Sequence, residues 1–222
     1  MLKRSLRCCL LICGLCFFAA PAFAAEKDES WDVIYLGDSR AGYVRSTTSN
    51  VQRNGKELIR TEIETHFAIK RFGQMLKMKI LESFDETEEG ELVGFLFRMN
   101  NPPFTNLETV GVRSGDHFSV TMTVAGRQTQ SKVKCDPDAK SPVFQERLLE
   151  KDPLKPGETR AMKVFSPESL TYTDVELEAA GDETVELLDG QRATLMKIVS
   201  TMTLPGAGKI SSSSYYDKQG NS

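Results

Sequence analysis

Residues 59–70, IRTEIETHFAIK, decide the fold class. Ile59, Thr61, Ile63, Thr65, Phe67 and Ile69 fall on one face of an extended chain. Arg60, Glu62, Glu64, His66 and Lys70 fall on the other, with Ala68 the exception. Alternation of period two over that length predicts a long antiparallel strand with one face in solvent. The next stretch keeps the rule, with Leu76, Met78 and Ile80 inward and Lys77 and Lys79 outward.

The same patterning extends along the chain. Strands are expected at 91–98, 107–113, 117–124, 128–135, 159–165, 172–180, 183–188, 191–203 and 209–216. Ser114-Gly115-Asp116, Ala125-Gly126, Gly181-Asp182 and Asp189-Gly190 read as the turns between them. Asp85 to Gly90 reads as an acidic turn whose carboxylates are solvated. Asn100-Asn101-Pro102-Pro103 breaks the pattern, because proline cannot donate to a central ladder. One helix is expected near 142–150, with Ser141 as N-cap, Pro142 at its first position, and Val143, Phe144, Leu148 and Leu149 on its apolar face. Ten or eleven strands around a single short helix make a mainly β fold. The expected form is a large antiparallel meander, a curved sheet or incomplete barrel, since so many strands must curl.

The first residues carry an address. Lys3, Arg4 and Arg7 precede an apolar run from Cys8 to Phe18 and a small-residue site, Ala22-Phe23-Ala24. This predicts a signal peptide over 1–24, cleaved between Ala24 and Ala25, and a periplasmic or secreted β-rich domain over 25–222. A lipid anchor at Cys13 or Cys16 fits less well, because Ile12 and Leu15 stand where a small residue is wanted. No later stretch is apolar enough for a transmembrane anchor. Loss of three basic residues and no acidic ones takes the net charge from −3 to −6. That balance argues against nucleic acid, whose phosphates need clustered Lys and Arg.

Of the five cysteines, only Cys135 lies outside the leader, so no disulfide framework is expected. Its neighbourhood follows from strand register. If the turn centres on Ala125-Gly126, Phe118 pairs with Val133 and Cys135 with Asp116. A shift of one residue would oppose Phe118, Val120 and Met122 to Lys134, Lys132 and Gln130. The apolar match favours the first register and leaves Cys135 a half-buried free thiol rather than the partner of His117. His66 and His117 stand alone without metal-ligand spacing, and Asp136-Pro137-Asp138 reads as a turn, so no cofactor is expected. The chain has no Gly-x-Ser-x-Gly and no phosphate-cradling glycine loop. Seven methionines scatter over the strands and suit a core or an adaptable apolar pocket. Ser211 to Ser214, small and polar on both faces, reads as an edge strand.

Two stretches carry a resemblance. WDVIYLGDSRAGYVRSTT, residues 31–48, has a Trp, a short strand and then Gly37, Gly42 and Tyr43. SSSSYYDKQGN, residues 211–221, ends on an aromatic-Asp-x-x-Gly turn at Tyr216 to Gly220. Together they resemble the β-rich amino-terminal region of exported transglutaminase-like proteins of planctomycete-type bacteria. The layout is also similar to the incomplete barrel of LolA-like lipoprotein carriers, which hold acyl chains. The first resemblance implies a catalytic domain after this region, and a chain truncated before it, so no catalytic residue is carried over.

The expected function is that of an exported, non-catalytic domain binding a lipid or other apolar ligand, or a partner protein, in the concavity of the sheet. The expected lining is Ile63, Phe67, Ile69, Met78, Ile80, Phe118, Val120 and Met122. The exposed edge at 209–216 is the expected contact for a protein partner. The alternatives are an accessory domain of a transglutaminase-like or peptidase protein and, more remotely, a Cys135-dependent enzyme.

Overall fold

A computed structural model describes residues 28–37, 39–71, 73–101, 105–187, 190–204 and 208–217. The expected signal peptide, its cleavage site, Pro102-Pro103, Asp189 and most of the turn after Tyr216 lie outside the described residues. Eight strands run as an antiparallel meander, each hydrogen-bonded to the next. They are β1 (Asp28–Leu36), β2 (Ser39–Arg53), β3 (Lys56–Arg71), β4 (Gln74–Glu86), β5 (Leu92–Asn101), β6 (Thr105–Ser114), β7 (His117–Val124) and β8 (Arg127–Lys134). Then come β9 (Ala139–Lys140), the helix α1 (Phe144–Lys151), β10 (Thr159–Ser166), β11 (Thr171–Glu186), β12 (Arg192–Leu204) and β13 (Gly208–Tyr216). These strands form a second sheet of order β13-β12-β11-β10-β9. The fold is mainly β with one short helix, and the strands divide between two sheets without closing into a barrel.

Local chemistry sets the register. Asn54 (φ 52°) and Gly55 (φ 75°) both take positive φ between the paired residues Arg53 and Lys56, the two-residue turn that matches strand twist. Ala125 (φ 47°) and Gly126 (φ 80°) do the same between β7 and β8. Phe118 therefore opposes Val133, the register that the apolar pattern selects. The Cys135 N–H donates to the Asp116 carbonyl at 2.7 Å.

Two cores follow from the alternation. Phe84, Phe95, Phe118 and Val120 of the large sheet meet Phe165 of β10. The rings of Phe95, Phe118 and Phe165 lie 5.0 to 5.5 Å apart, within the range of favourable aromatic pairing. The second core joins Leu149 of α1 and Leu154 to Val164, Val175, Leu177, Ala179 and Ile198 of the small sheet. Polar ties cross between the layers. The Tyr172 hydroxyl donates to the Lys134 carbonyl (2.9 Å) and accepts from the Asp136 N–H (3.0 Å). Lys163 pairs with Asp136 at 2.8 Å.

Four local expectations are corrected. Asp85 and Glu86 are not solvated turn residues: they end β4 at 5 % and 0 % exposure, neutralised by arginines. Asn100 and Asn101 continue β5, opposite Asn106 and Thr105. Ser141 does not cap α1. The cap position is Val143, and the Ser141 N–H is engaged elsewhere, donating to the Gly90 carbonyl (2.9 Å). Finally, Gly181-Asp182 is not a hairpin. β11 runs through it as one strand with a bulge, while Leu187 and Gln191 close the hairpin into β12 (N···O 2.7 Å).

Candidate functional site

The register places the eight expected lining residues on one face of the large sheet. Ile63 opposes Glu82, Phe67 opposes Met78, Ile69 opposes Leu76, and Ile80 opposes Thr65. The row Phe84–Phe95–Gly111–Val120 carries that face across to β7, where Phe118, Val120 and Met122 share it. Phe118 and Val120 are 3 % and 2 % exposed in the first core, and Ile63 packs against it, so this end of the face is filled by Phe165. Phe67 and Met78 border an open groove of about 420 Å³. Its other lining includes Tyr43, His66, Lys77 and Lys79, which alternation puts on the opposite, outer face.

That outer face is a self-contained polar and aromatic ladder. Tyr43 lies between the Trp31 ring (5.4 Å) and the His66 ring (4.7 Å). His66 Nε2 meets Glu64 Oε1 at 2.7 Å, and Lys79 pairs with the same carboxylate. Lys79 and then His66 hold Glu64 down at about 2. Tyr43 is held between its two neighbours and the ladder braces β1 to β4, while the Trp31 ring stays 55 % exposed.

The more enclosed cavity belongs to the small sheet, with a volume of about 340 Å³. Its wall is Leu149 of α1 with Pro153, Leu154 and Pro156 of the loop that follows. Its floor is Thr194, Met196 and Ile198 of β12. Met196 opposes Asp182 on one side and Tyr216 on the other, so the three form a single cross-strand row.

The row exists because of the bulge. Ala179 opposes Ile198 and Gly181 opposes Lys197, which leaves Ala180 as the extra residue. Ala179 is buried in the second core, and strict alternation from it would turn Asp182 outward. The extra residue restores Asp182 to the inner face, opposite Met196. Gly181 absorbs the distortion at φ 106°, where a side chain would be strained. Bulges recur where a side chain must be re-aimed.

Electrostatics set the character of the cavity. Burial pushes the Tyr216 phenol up to about 12, with Glu146 nearby adding to the effect, so it stays a neutral hydrogen-bonding group. Burial and then Asp32 raise the Glu146 carboxyl, which places the first strand of the large sheet within electrostatic reach of α1 and β13. Lys155, Asp182 and Asp217 supply charge among the lining residues. Cys135 is a free thiol in the first core, and burial pushes it up, which makes it a poor nucleophile. Among the described residues no three His, Cys, Asp or Glu side chains are placed to hold a metal, and no helix is long and apolar enough to cross a membrane.

The cavity residues were within reach of the sequence in part. Met196 and Ile198 stand out as same-face apolar positions, but Asp182 does not, because Gly-Asp signals a turn as strongly as it signals a bulge. Comparisons with protein-family models, curated proteins and solved structures give no match for this chain.

Proposed function

We propose that this chain is an exported, non-catalytic β-domain that binds the apolar portion of an amphiphile in the cavity between the small sheet and α1. One observation carries the reading: a mainly apolar floor and wall around about 340 Å³, with Asp182 turned onto its face by a bulge and Lys155 and Asp217 also in the lining. Small-molecule sites are typically about 300–1,000 Å³, mainly apolar, with a few placed polar groups. Met196 supplies the adaptable surface that suits chains of differing length. The leader-like residues 1–24 support export.

The test is displacement of a fluorescent fatty-acid probe from the purified chain by alcohols, amines and acids of matched chain length. Saturable displacement by at least one series is expected. Absence of probe binding, together with no lipid extractable from the protein isolated from its own envelope, would remove the ligand function.

A further inference from the structure

The two sheets end on strands of different character. β8 carries Arg127, Lys132 and Lys134, and β1 carries Asp28, Glu29 and Asp32. Charges of one sign along an edge discourage a further strand from adding to it. β9 has only two residues. β13 has nine, lies at the end of its sheet, and runs from Ile210 to Tyr216 without a charge. Its residues from Gly208 to Ser214 are exposed, Ile210 at 55 %. One side of its backbone pairs with β12 over its whole length, and no other strand among the described residues flanks it. Unpaired N–H and C=O groups along such an edge are a template for another strand.

We infer that β13 pairs with β13 of a second copy of this chain, antiparallel across a two-fold axis, giving one continuous sheet with five strands from each copy. The edge meets the lining of the ligand cavity at Tyr216 and Asp217, and the inference does not rest on ligand binding. A two-fold axis between antiparallel strands passes through a pair of like-numbered residues. With the axis at Ser213, Ser212 of each copy opposes Ser214 of the other, Ser211 opposes Tyr215, and Ile210 opposes Tyr216. Lys209 then opposes Asp217. No like charges meet in this register, and the only charged pair has opposite signs and forms twice. The serines at the centre are short, so no bulky side chain obstructs the approach of the second strand.

Light scattering and sedimentation of the purified chain from micromolar to millimolar concentration test the inference. The chain is expected to dimerise. Ser213→Lys and Ser213→Glu each set like charges against each other at the axis, and each should weaken self-association by about tenfold or more. Position 213 is exposed, so both variants should keep the circular dichroism of the parent. An equimolar mixture of the two should recover the dimer, because Lys then meets Glu. A parent chain that stays monomeric at every concentration overturns the inference. So does a dimer indifferent to Ser213→Lys, or a mixture no more dimeric than its components.

Discussion

The Phe95 ring lies where a side chain at Gly111 would stand. The two residues oppose each other across β5 and β6, and a Cβ on Gly111 would come within 2.1 Å of Phe95 Cε1. The ring cannot retreat freely, because Phe118 and Phe165 pack 5.5 and 5.0 Å from it. The glycine is thus the space that lets Phe95 join the two sheets.

Gly111→Ala should therefore destabilise by about 1–3 kcal/mol, the usual cost of overpacking a core. Paired with Phe95→Leu, which vacates the ring's edge, the same Ala should cost less than it does alone. Urea denaturation of the two single variants and the double variant measures the coupling.

Arg147 of α1 pairs with a fully buried carboxylate, Glu86. Its Nε donates to Glu86 Oε1 at 3.0 Å and its guanidinium reaches the Thr87 and Glu88 carbonyls at 3.2 and 3.3 Å, while Glu86 is 0 % exposed. Arg147→Ala leaves that acid buried and unpaired, which costs about 3–5 kcal/mol. Burial already holds the Glu86 carboxyl above its ordinary range. The penalty of the variant should shrink as pH falls and Glu86 takes up a proton. Equal losses at acid and neutral pH in chemical denaturation would refute this account.

Glu82 makes stability depend on pH. It stands on the inner face between Ile63 and Phe97, and burial, with Glu168 nearby, pushes its carboxyl up from 4.5 to about 7. The folded chain keeps a proton that the unfolded chain releases in this window. Stability is full below pH 4.5, falls as pH rises toward 7, and stays lowered above it. At about 1.4 kcal/mol per pH unit the loss is about 3 kcal/mol. Glu82→Gln should remove this slope, leave stability near pH 4 almost unchanged, and raise the melting temperature at about pH 8. A variant that melts with the parent at both ends of that range would show that Glu82 is already solvated.

The large sheet was legible because its signals are local. Alternation in IRTEIETHFAIK gives β3 its faces, and the match of Phe118 to Val133 fixes the β7–β8 register. What stayed hidden depends on distant partners. Asp85 and Glu86 sit in a run of acids that reads as solvent-exposed, and only arginines 25 to 61 positions away in sequence make their burial tolerable. The split into two sheets is likewise invisible in period-two patterning, which reports which way a side chain points and not which sheet carries it. Gly181-Asp182 has two local readings, and the long register of β11 with β12 decides for the bulge.

The cavity and the large-sheet face make opposed demands on mutagenesis. Met196 floors the cavity and is only partly buried against the second core, so a larger side chain there has room to fill the space. Met196→Trp should lower affinity for an alkyl-chain probe by about tenfold or more, roughly 1.4 kcal/mol, with little change in melting temperature. Phe67→Trp and Met78→Trp, on the large-sheet face, should leave that affinity unchanged. Asp182→Asn keeps the shape of the cavity and removes its bulge-placed charge, so it should narrow the difference in affinity between amine and acid ligands of one chain length without abolishing binding. If instead the large-sheet variants block the probe and Met196→Trp does not, the ligand lies on the inner face of β3 and β4, and the bulge at Gly181 serves only to keep β11 and β12 in register.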